Sequence, residues 1–181
     1  MAASRSVLAR AKRIKLLLVD VDGVLTDGRI LLHSLPDGTA TESKAFSAYD
    51  GAGLKMAKAA GLRTGLITGR DSPATSRRAR ECEIEFVYQG AGVKLPAYED
   101  ALRRAGVKDA EVCYVGDDVP DLPVLARVGL AIAVANAVPE VKRAAHYVTR
   151  TRGGEGAVRE VIELILKAQG KWQRAMKEAK A

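Results

Sequence analysis

Three shortages narrow the class of this 181-residue chain before any motif is read. Cysteine occurs only as Cys82 and Cys113, each in or beside an apolar segment and without metal-ligand spacing. That argues against a disulfide framework and predicts buried free thiols in a reducing compartment, hence a cytoplasmic protein. Long apolar runs are missing as well. None approaches the roughly 20 residues of a membrane span, and the first reads as a strand rather than the core of a signal peptide. No membrane partner is expected. Aromatic residues make up 4% of the chain, too few to build a stacking surface for nucleic acid.

The charge distribution agrees. The net +7 is concentrated at the two ends. Residues 1–15 carry Arg5, Arg10, Lys12, Arg13 and Lys15 without an acid, and residues 167–181 carry Lys167, Lys171, Arg174, Lys177 and Lys180 against Glu178. Removing those contributions of +5 and +4 leaves residues 16–166 at −2. A protein that grips phosphate backbones needs its basic face on the folded body, so no nucleic-acid partner is expected. The length is that of one domain, 1–181, with enough chain to bury a real core.

The chain is organised around residues 16–27, LLLVDVDGVLTD. An unbroken apolar run ended by acid and glycine predicts a fully buried strand leaving its sheet. Alternation points Asp20 and Asp22 the same way and turns Val21 into the core. Two neighbouring carboxylates repel, so each needs a cation, a proton or a donor, and the hard cation that suits them is Mg²⁺. Gly23 allows a sharp turn behind them.

Ahead of this strand, Val7, Leu8, Ala11 and Ile14 have helical spacing. The acid-free segment also has the composition of a transit peptide, but it is short for one, and a structural helix is expected. After the strand, residues 29–32 and 39–46 flank Pro36-Asp37-Gly38 and predict a β-hairpin within 28–46. It reads equally as a flap over the site, an oligomer contact or a plain surface hairpin. Asp50-Gly51-Ala52-Gly53 opens a helix closed by Gly61; lacking a third glycine and a preceding buried strand, it is not a dinucleotide loop. Strands at 63–68, 84–88, 111–115 and 130–134 then alternate with helices, with a short helix after Pro139 and an edge strand at 146–148. A last helix begins near Gly156, and 168–181 is expected as a C-terminal tail. The alternation predicts an α/β fold, a doubly wound parallel sheet covered on both faces, with ligands at the carboxyl ends of its strands.

That rule gathers Asp20, Asp22, Thr68, Lys94, Asp117, Asp118 and Asp121 at one edge. Each alone has a plain explanation: Thr68 as an N-cap, Lys94 as solvated surface, Gly116-Asp117-Asp118 as a turn. Together they suit phosphoryl transfer through an aspartyl-phosphate. Asp20 attacks, while Asp22 protonates the leaving alcohol and then activates water. Thr68, the Gly69 amide and Lys94 hold the phosphate oxygens. Asp20, Asp22 and Asp117 hold Mg²⁺, with Asp118 and Asp121 orienting those ligands from behind.

Asp20-Val21-Asp22-Gly23-Val24-x-Thr26-Asp27, Ile67-Thr68-Gly69-Arg70, Lys94 and Gly116-Asp117-Asp118-x-x-Asp121 resemble, in order, the four motifs of the haloacid dehalogenase-like phosphatases. The spacing is that of the capless members. Within them the chain is most similar to the 3-deoxy-D-manno-octulosonate 8-phosphate phosphatases. That similarity lies in Lys44-Ala45-Phe46, Asp50-Gly51-x-Gly53, Tyr88-Gln89-Gly90, Tyr114-Val115-Gly116-Asp117-Asp118, Tyr147-Val148-Thr149-Arg150 and Gly156-Ala157-Val158-Arg159-Glu160. The resemblance implies a Rossmann-like core without a cap domain and Mg²⁺-dependent hydrolysis of that sugar phosphate in lipopolysaccharide precursor synthesis. It also implies a homotetramer whose hairpins pack together and whose neighbouring subunits, including the C-terminal segment, close the site.

Two departures bear on the substrate. Tyr49 stands where many of these phosphatases have arginine, and Gly-Gly-Glu155-Gly carries an acid where many have arginine near the substrate. Glu155 resembles the phosphatases of nine-carbon keto-deoxy sugar acids. Arg70 favours the eight-carbon enzyme and is expected to pair with the sugar carboxylate. Other classes are a nucleic-acid end phosphatase, which would use the basic ends, and a phospho-accepting receiver domain, whose acceptor would sit on a middle strand. A non-catalytic assembly protein is disfavoured because all four motifs are intact.

Overall fold

A computed structural model describes residues 3–178 of the chain. Strand β1 (Leu16–Val19) is the apolar run of the sequence, and all four of its residues are fully buried, as a strand covered on both faces requires. Before it, α1 (Arg5–Ala11) is capped by Ser4, whose Oγ accepts the Val7 amide at 3.3 Å, and it buries Val7 and Ala11. The structural helix expected there is present.

Strands β2 (Leu31–Ser34) and β3 (Ala40–Ser43) form a separate antiparallel pair. The first lies two residues further along than the sequence pattern suggested, and the second is shorter. The turn is closed by Leu35 N to Thr39 O at 2.8 Å and by Asp37, which accepts the Thr39 amide at 3.0 Å. Ile30, Leu31, Leu32 and Leu35 are exposed on this hairpin.

The remaining strands are β4 (Arg63–Ile67), β5 (Phe86–Tyr88), β6 (Val112–Gly116), β7 (Leu130–Ala133) and β8 (Tyr147–Val148). They join β1 in one parallel sheet of order β5-β4-β1-β6-β7-β8. The chain builds outward from β1 through β4 to β5, then returns to continue on the other side of β1 through β6. This reversal makes the crevice above β1 the topological switch point, where open α/β sheets bind ligands.

Helices α2 (Ala48–Ala59), α3 (Pro73–Glu81), α7 (Ala157–Ala168) and α8 (Trp172–Glu178) lie with α1 on one face of the sheet. Helices α4 (Lys94–Ala105), α5 (Leu122–Leu125) and α6 (Pro139–Ala144) pack together on the other. Helix α7 buries Ala157, Val158, Val161, Ile162, Ile165 and Leu166, a stripe of helical period. The segment 168–181, expected as a tail, is helical over Trp172–Glu178; Ala175 is fully buried and the indole of Trp172 lies 5.0 Å from the Arg159 guanidinium. Residues 179–181 lie outside the described residues. Both cysteines are buried and free, as expected.

The Asp50-Gly51-x-Gly53 motif turns out to be a helix–helix joint. Ser47 starts α2 one turn earlier than the glycines suggested, by accepting the Tyr49 amide. Asp50 then points at the start of α7 and accepts the Arg159 amide at 2.8 Å. It is a cap supplied from another helix. Gly53 allows the close approach, since a Cβ there would lie 3.3 Å from the Arg159 Cα. Replacing Asp50 by alanine leaves that amide without its acceptor and should cost about 1 kcal/mol, read as a lower urea midpoint. An unchanged midpoint would mean that the amide finds another partner.

Candidate active site

The site is built on the carboxyl ends of β1, β4 and β6. Asp20 continues β1 by one ladder bond, donating its amide to Val115 O at 3.0 Å. Val21 is fully buried, while Asp20 and Asp22 both line the crevice, so the alternation read from the sequence holds. The chain then folds back: the Leu25 and Thr26 amides donate to Val21 O at 2.9 and 3.0 Å. Thr26 fastens this loop, its Oγ1 accepting the Gly23 amide at 3.3 Å and the Gly28 amide at 3.2 Å. Gly23 has φ +91°, and a side chain there would collide with the Asp117 carboxylate.

Lys94, the first residue of α4, reaches across to β1 and β6. Its Nζ lies 2.8 Å from Asp20 Oδ1, 2.6 Å from Asp121 Oδ1 and 3.2 Å from the Tyr114 hydroxyl. Tyr114 donates to Asp121 Oδ1 at 2.7 Å, and Asp121 Oδ2 accepts the Asp117 and Asp118 amides at 2.9 and 3.2 Å. Asp121 therefore shapes the loop after β6 as well as holding Lys94. Asp118 accepts the Val119 amide at 2.7 Å and caps the short 3₁₀ turn Val119–Asp121.

Carboxylate oxygens of Asp20, Asp117 and Asp121 lie within 4.8 Å of one another. One ammonium faces three buried or half-buried acids, and the pKa directions record the imbalance. Burial, partly offset by Lys94 and reinforced by repulsion from Asp121, raises Asp20 to about 6. Burial together with repulsion from Asp20 and Asp121 raises Asp117 to about 8. Burial disfavours the charge on Lys94 too, but Asp20 and Asp121 outweigh it and hold the ammonium above its ordinary value. Asp117 Oδ1 is buried and has no hydrogen-bond partner among the described residues. A hard, oxygen-seeking divalent cation fits this donor set, with Asp20 and Asp117 as ligands. The Asp22 carboxylate stands apart from the cluster, its Oδ1 paired with Lys44 Nζ.

Thr68 follows β4 and is buried; Gly69 and Arg70 come next, and all three line the same crevice, a cleft of about 420 Å³. Gly69 faces Gly92, and α4 starts without a side-chain cap beside the cleft that Gly92 and Lys94 line. Arg70 lies at the rim, paired with Glu42 of the hairpin. Glu155 is not brought to the cleft in this chain. Gly153 and Gly154 lie against the Gly23–Asp27 backbone, with Gly154 N donating to Val24 O at 3.1 Å, and this turns Glu155 outward into a groove with Tyr49, Arg150 and Arg159.

Residues 83–162 match the family model of a haloacid dehalogenase-like hydrolase. Over 172 residues the chain is 44% identical to the 3-deoxy-D-manno-octulosonate 8-phosphate phosphatase of Escherichia coli K12, covering 95% of this chain and 89% of that protein. The chain belongs to the haloacid dehalogenase-like hydrolases. Among solved structures of this hydrolase family, the 3-deoxy-D-manno-octulosonate 8-phosphate phosphatase of Yersinia pestis superposes with a TM-score of 0.87 at 44% identity, over 93% of this chain and 89% of that one. The Moraxella catarrhalis phosphatase, solved with a magnesium ion, a phosphate ion and a KDO molecule, does so with 0.89 at 40% identity, over 95% and 97%.

This hydrolase also uses residues to which the sequence assigned no role at the site. Asn136, just beyond β7, donates to Gly23 O at 2.9 Å and accepts the Gly153 amide at 2.6 Å, tying the loop after β1 to the glycine-rich loop. Its place after a strand end was the available signal, the one that had picked out Asp117. Tyr114 hid inside an apolar strand. Lys44 and Glu42 sat in a polar hairpin strand with nothing to mark them as buried.

Proposed function

We propose that this chain is a Mg²⁺-dependent phosphomonoesterase that converts 3-deoxy-D-manno-octulosonate 8-phosphate to the free sugar acid and phosphate. The observation that carries it is Lys94 bridging Asp20 and Asp121 beside Asp117, with Thr68 on the next strand end. In this reading Asp20 attacks the phosphorus and becomes an aspartyl-phosphate as the bond to the sugar oxygen breaks. Asp22 gives that oxygen a proton, then takes one from the water that hydrolyses the aspartyl-phosphate. Thr68, the Gly69 amide and Lys94 hold the non-bridging oxygens. Asp20 and Asp117 are the side chains that would hold Mg²⁺, with Asp118 and Asp121 shaping their loop. The ion supplies charge neutralisation that makes the phosphorus electrophilic.

Support for the eight-carbon sugar over the nine-carbon one comes from the relatives and from Arg70, which lines the cleft where Glu155 does not. We read the whole of 1–181 as one domain, the hairpin as a flap, and the protein as a cytoplasmic homotetramer without nucleic-acid or membrane partners. The exposed apolar residues of the hairpin support the tetramer, and the buried free cysteines support the compartment. Among the described residues no helix is long and apolar enough to cross a membrane.

The test is phosphate release with Mg²⁺ across sugar phosphates, including eight- and nine-carbon 3-deoxy-2-keto acids, with a 5′-phosphorylated oligonucleotide as control. The highest kcat/KM is expected for the eight-carbon acid. A preference for the nine-carbon acid would move the substrate, one for the oligonucleotide the class. A long-lived phosphoprotein formed from acetyl phosphate without sugar-phosphate turnover would favour a receiver domain.

A further inference from the structure

The side chain of Lys44 is only 1% exposed, at the foot of the hairpin strand β3. An ammonium taken so far out of water is costly unless carboxylates face it. Two do. Its Nζ pairs with Asp22 Oδ1 and lies 3.4 Å from Glu42 Oε1, while the other oxygen of Glu42 pairs with Arg70. An unbroken charge chain, Asp22–Lys44–Glu42–Arg70, thus runs along the rim of the cleft. At its inner end the two oxygens of Asp22 differ. Oδ1 is taken by Lys44, whereas Oδ2 is buried and has no hydrogen-bond partner among the described residues.

We infer that Lys44 is a positioning residue for Asp22. It fixes the carboxyl group so that Oδ2 is the oxygen that exchanges protons, and Glu42 links this setting to Arg70, the arm proposed for the substrate carboxylate. The inference rests on the phosphomonoesterase reading above. In the first half-reaction Asp20 forms a bond to phosphorus, the bond from phosphorus to the leaving oxygen breaks, and the proton on Asp22 Oδ2 goes to that oxygen. In the second, Oδ2 takes a proton from water as the water oxygen bonds to phosphorus. The bond to Asp20 breaks, and inorganic phosphate leaves with the enzyme restored. An Asp22 free to rotate impairs both halves, but a leaving group that needs no proton rescues only the first.

p-Nitrophenyl phosphate has such a leaving group, so rapid mixing with the full-length Mg²⁺-loaded protein separates the steps. In Lys44→Met, kcat for the sugar phosphate should fall roughly 10²-fold, the scale of a misplaced catalytic group, with KM little changed. With p-nitrophenyl phosphate the variant should give a burst of nitrophenol close to one per site, followed by slow turnover and a trapped phosphoenzyme. Lys44→Arg, which keeps the cation, should recover most of the loss. Should Lys44→Met fail to fold by thermal unfolding, Lys44→Gln keeps a donor for Oδ1 and should show the same burst in milder form. A fall in kcat without burst or phosphoenzyme, an equal loss in Lys44→Arg, or unchanged kinetics overturns the assignment. A wild type that releases no phosphate from any phosphomonoester overturns the functional reading, and this one with it.

Discussion

Asp20→Asn should reduce phosphate release by roughly 10⁴- to 10⁶-fold, the range seen when a covalent nucleophile is removed. The amide oxygen is a poor nucleophile, yet it keeps the size of the carboxylate and an acceptor for the Lys94 ammonium now 2.8 Å away. The change also removes one of three crowded acids, so the fold should survive: burial and repulsion already raise Asp20 and Asp117. Phosphate release measured alongside thermal unfolding separates the two effects. A folded variant retaining more than about a tenth of the wild-type rate would remove Asp20 as the attacking group, because leaving the nucleophile out cannot cost so little.

Stripping the protein of divalent metal should make it less stable as the pH rises, the reverse of ordinary acid denaturation. Asp20 and Asp117 are raised to about 6 and about 8, in both cases chiefly by burial, whereas both start from 3.8 in the unfolded chain. Between 3.8 and those values the folded state therefore holds more protons than the unfolded one. Stability is highest below the unfolded value and is lost as the pH climbs through 6 and then 8. Asp50, raised to about 6 by burial, adds to the same slope. A divalent cation supplies the charge the protons had supplied. Mg²⁺ should raise the melting temperature more at pH 8.5 than at pH 5.5, and its binding at pH 7 should release protons into weak buffer. A melting temperature in chelator that rises steadily across this range would contradict the charge imbalance assigned to the cluster.

Much of this was legible in the residues. The run 16–19 announced a strand buried on both faces, and the alternation of strands and helices placed Asp20, Thr68, Lys94, Asp117 and Asp121 at one sheet edge before any contact was known. These positions follow from main-chain direction, which the sequence pattern encodes. What it did not encode were contacts between elements far apart in the chain. Lys44 lies in ATESKAF, whose polar residues look solvated until the hairpin foot folds against Asp22. Tyr114 reads as core packing, since nothing in VCYVG tells that its hydroxyl meets Asp121. Trp172–Glu178 follows Gly170 in a basic stretch with the composition of a tail, and only its packing on α2 and α7 makes it a helix of the body. Glu155 was placed near the substrate by resemblance, and the paired glycines before it turn it away.

The bridge made by Asn136 carries a consequence for synthesis. Gly23, three residues past Asp20, is held by a side chain 113 positions later, and that side chain is itself held by Gly153. Strand β1 leaves the ribosome first among the strands, yet it lies between β4 and β6 and waits for both flanks to be made. A chain still attached at its end can lay down β1, β4, β5, β6 and β7 while the loop carrying Asp20 and Asp22 remains unbraced. The loop is made early and finished late, so activity should emerge only after Asn136 and Gly153 have left the ribosome.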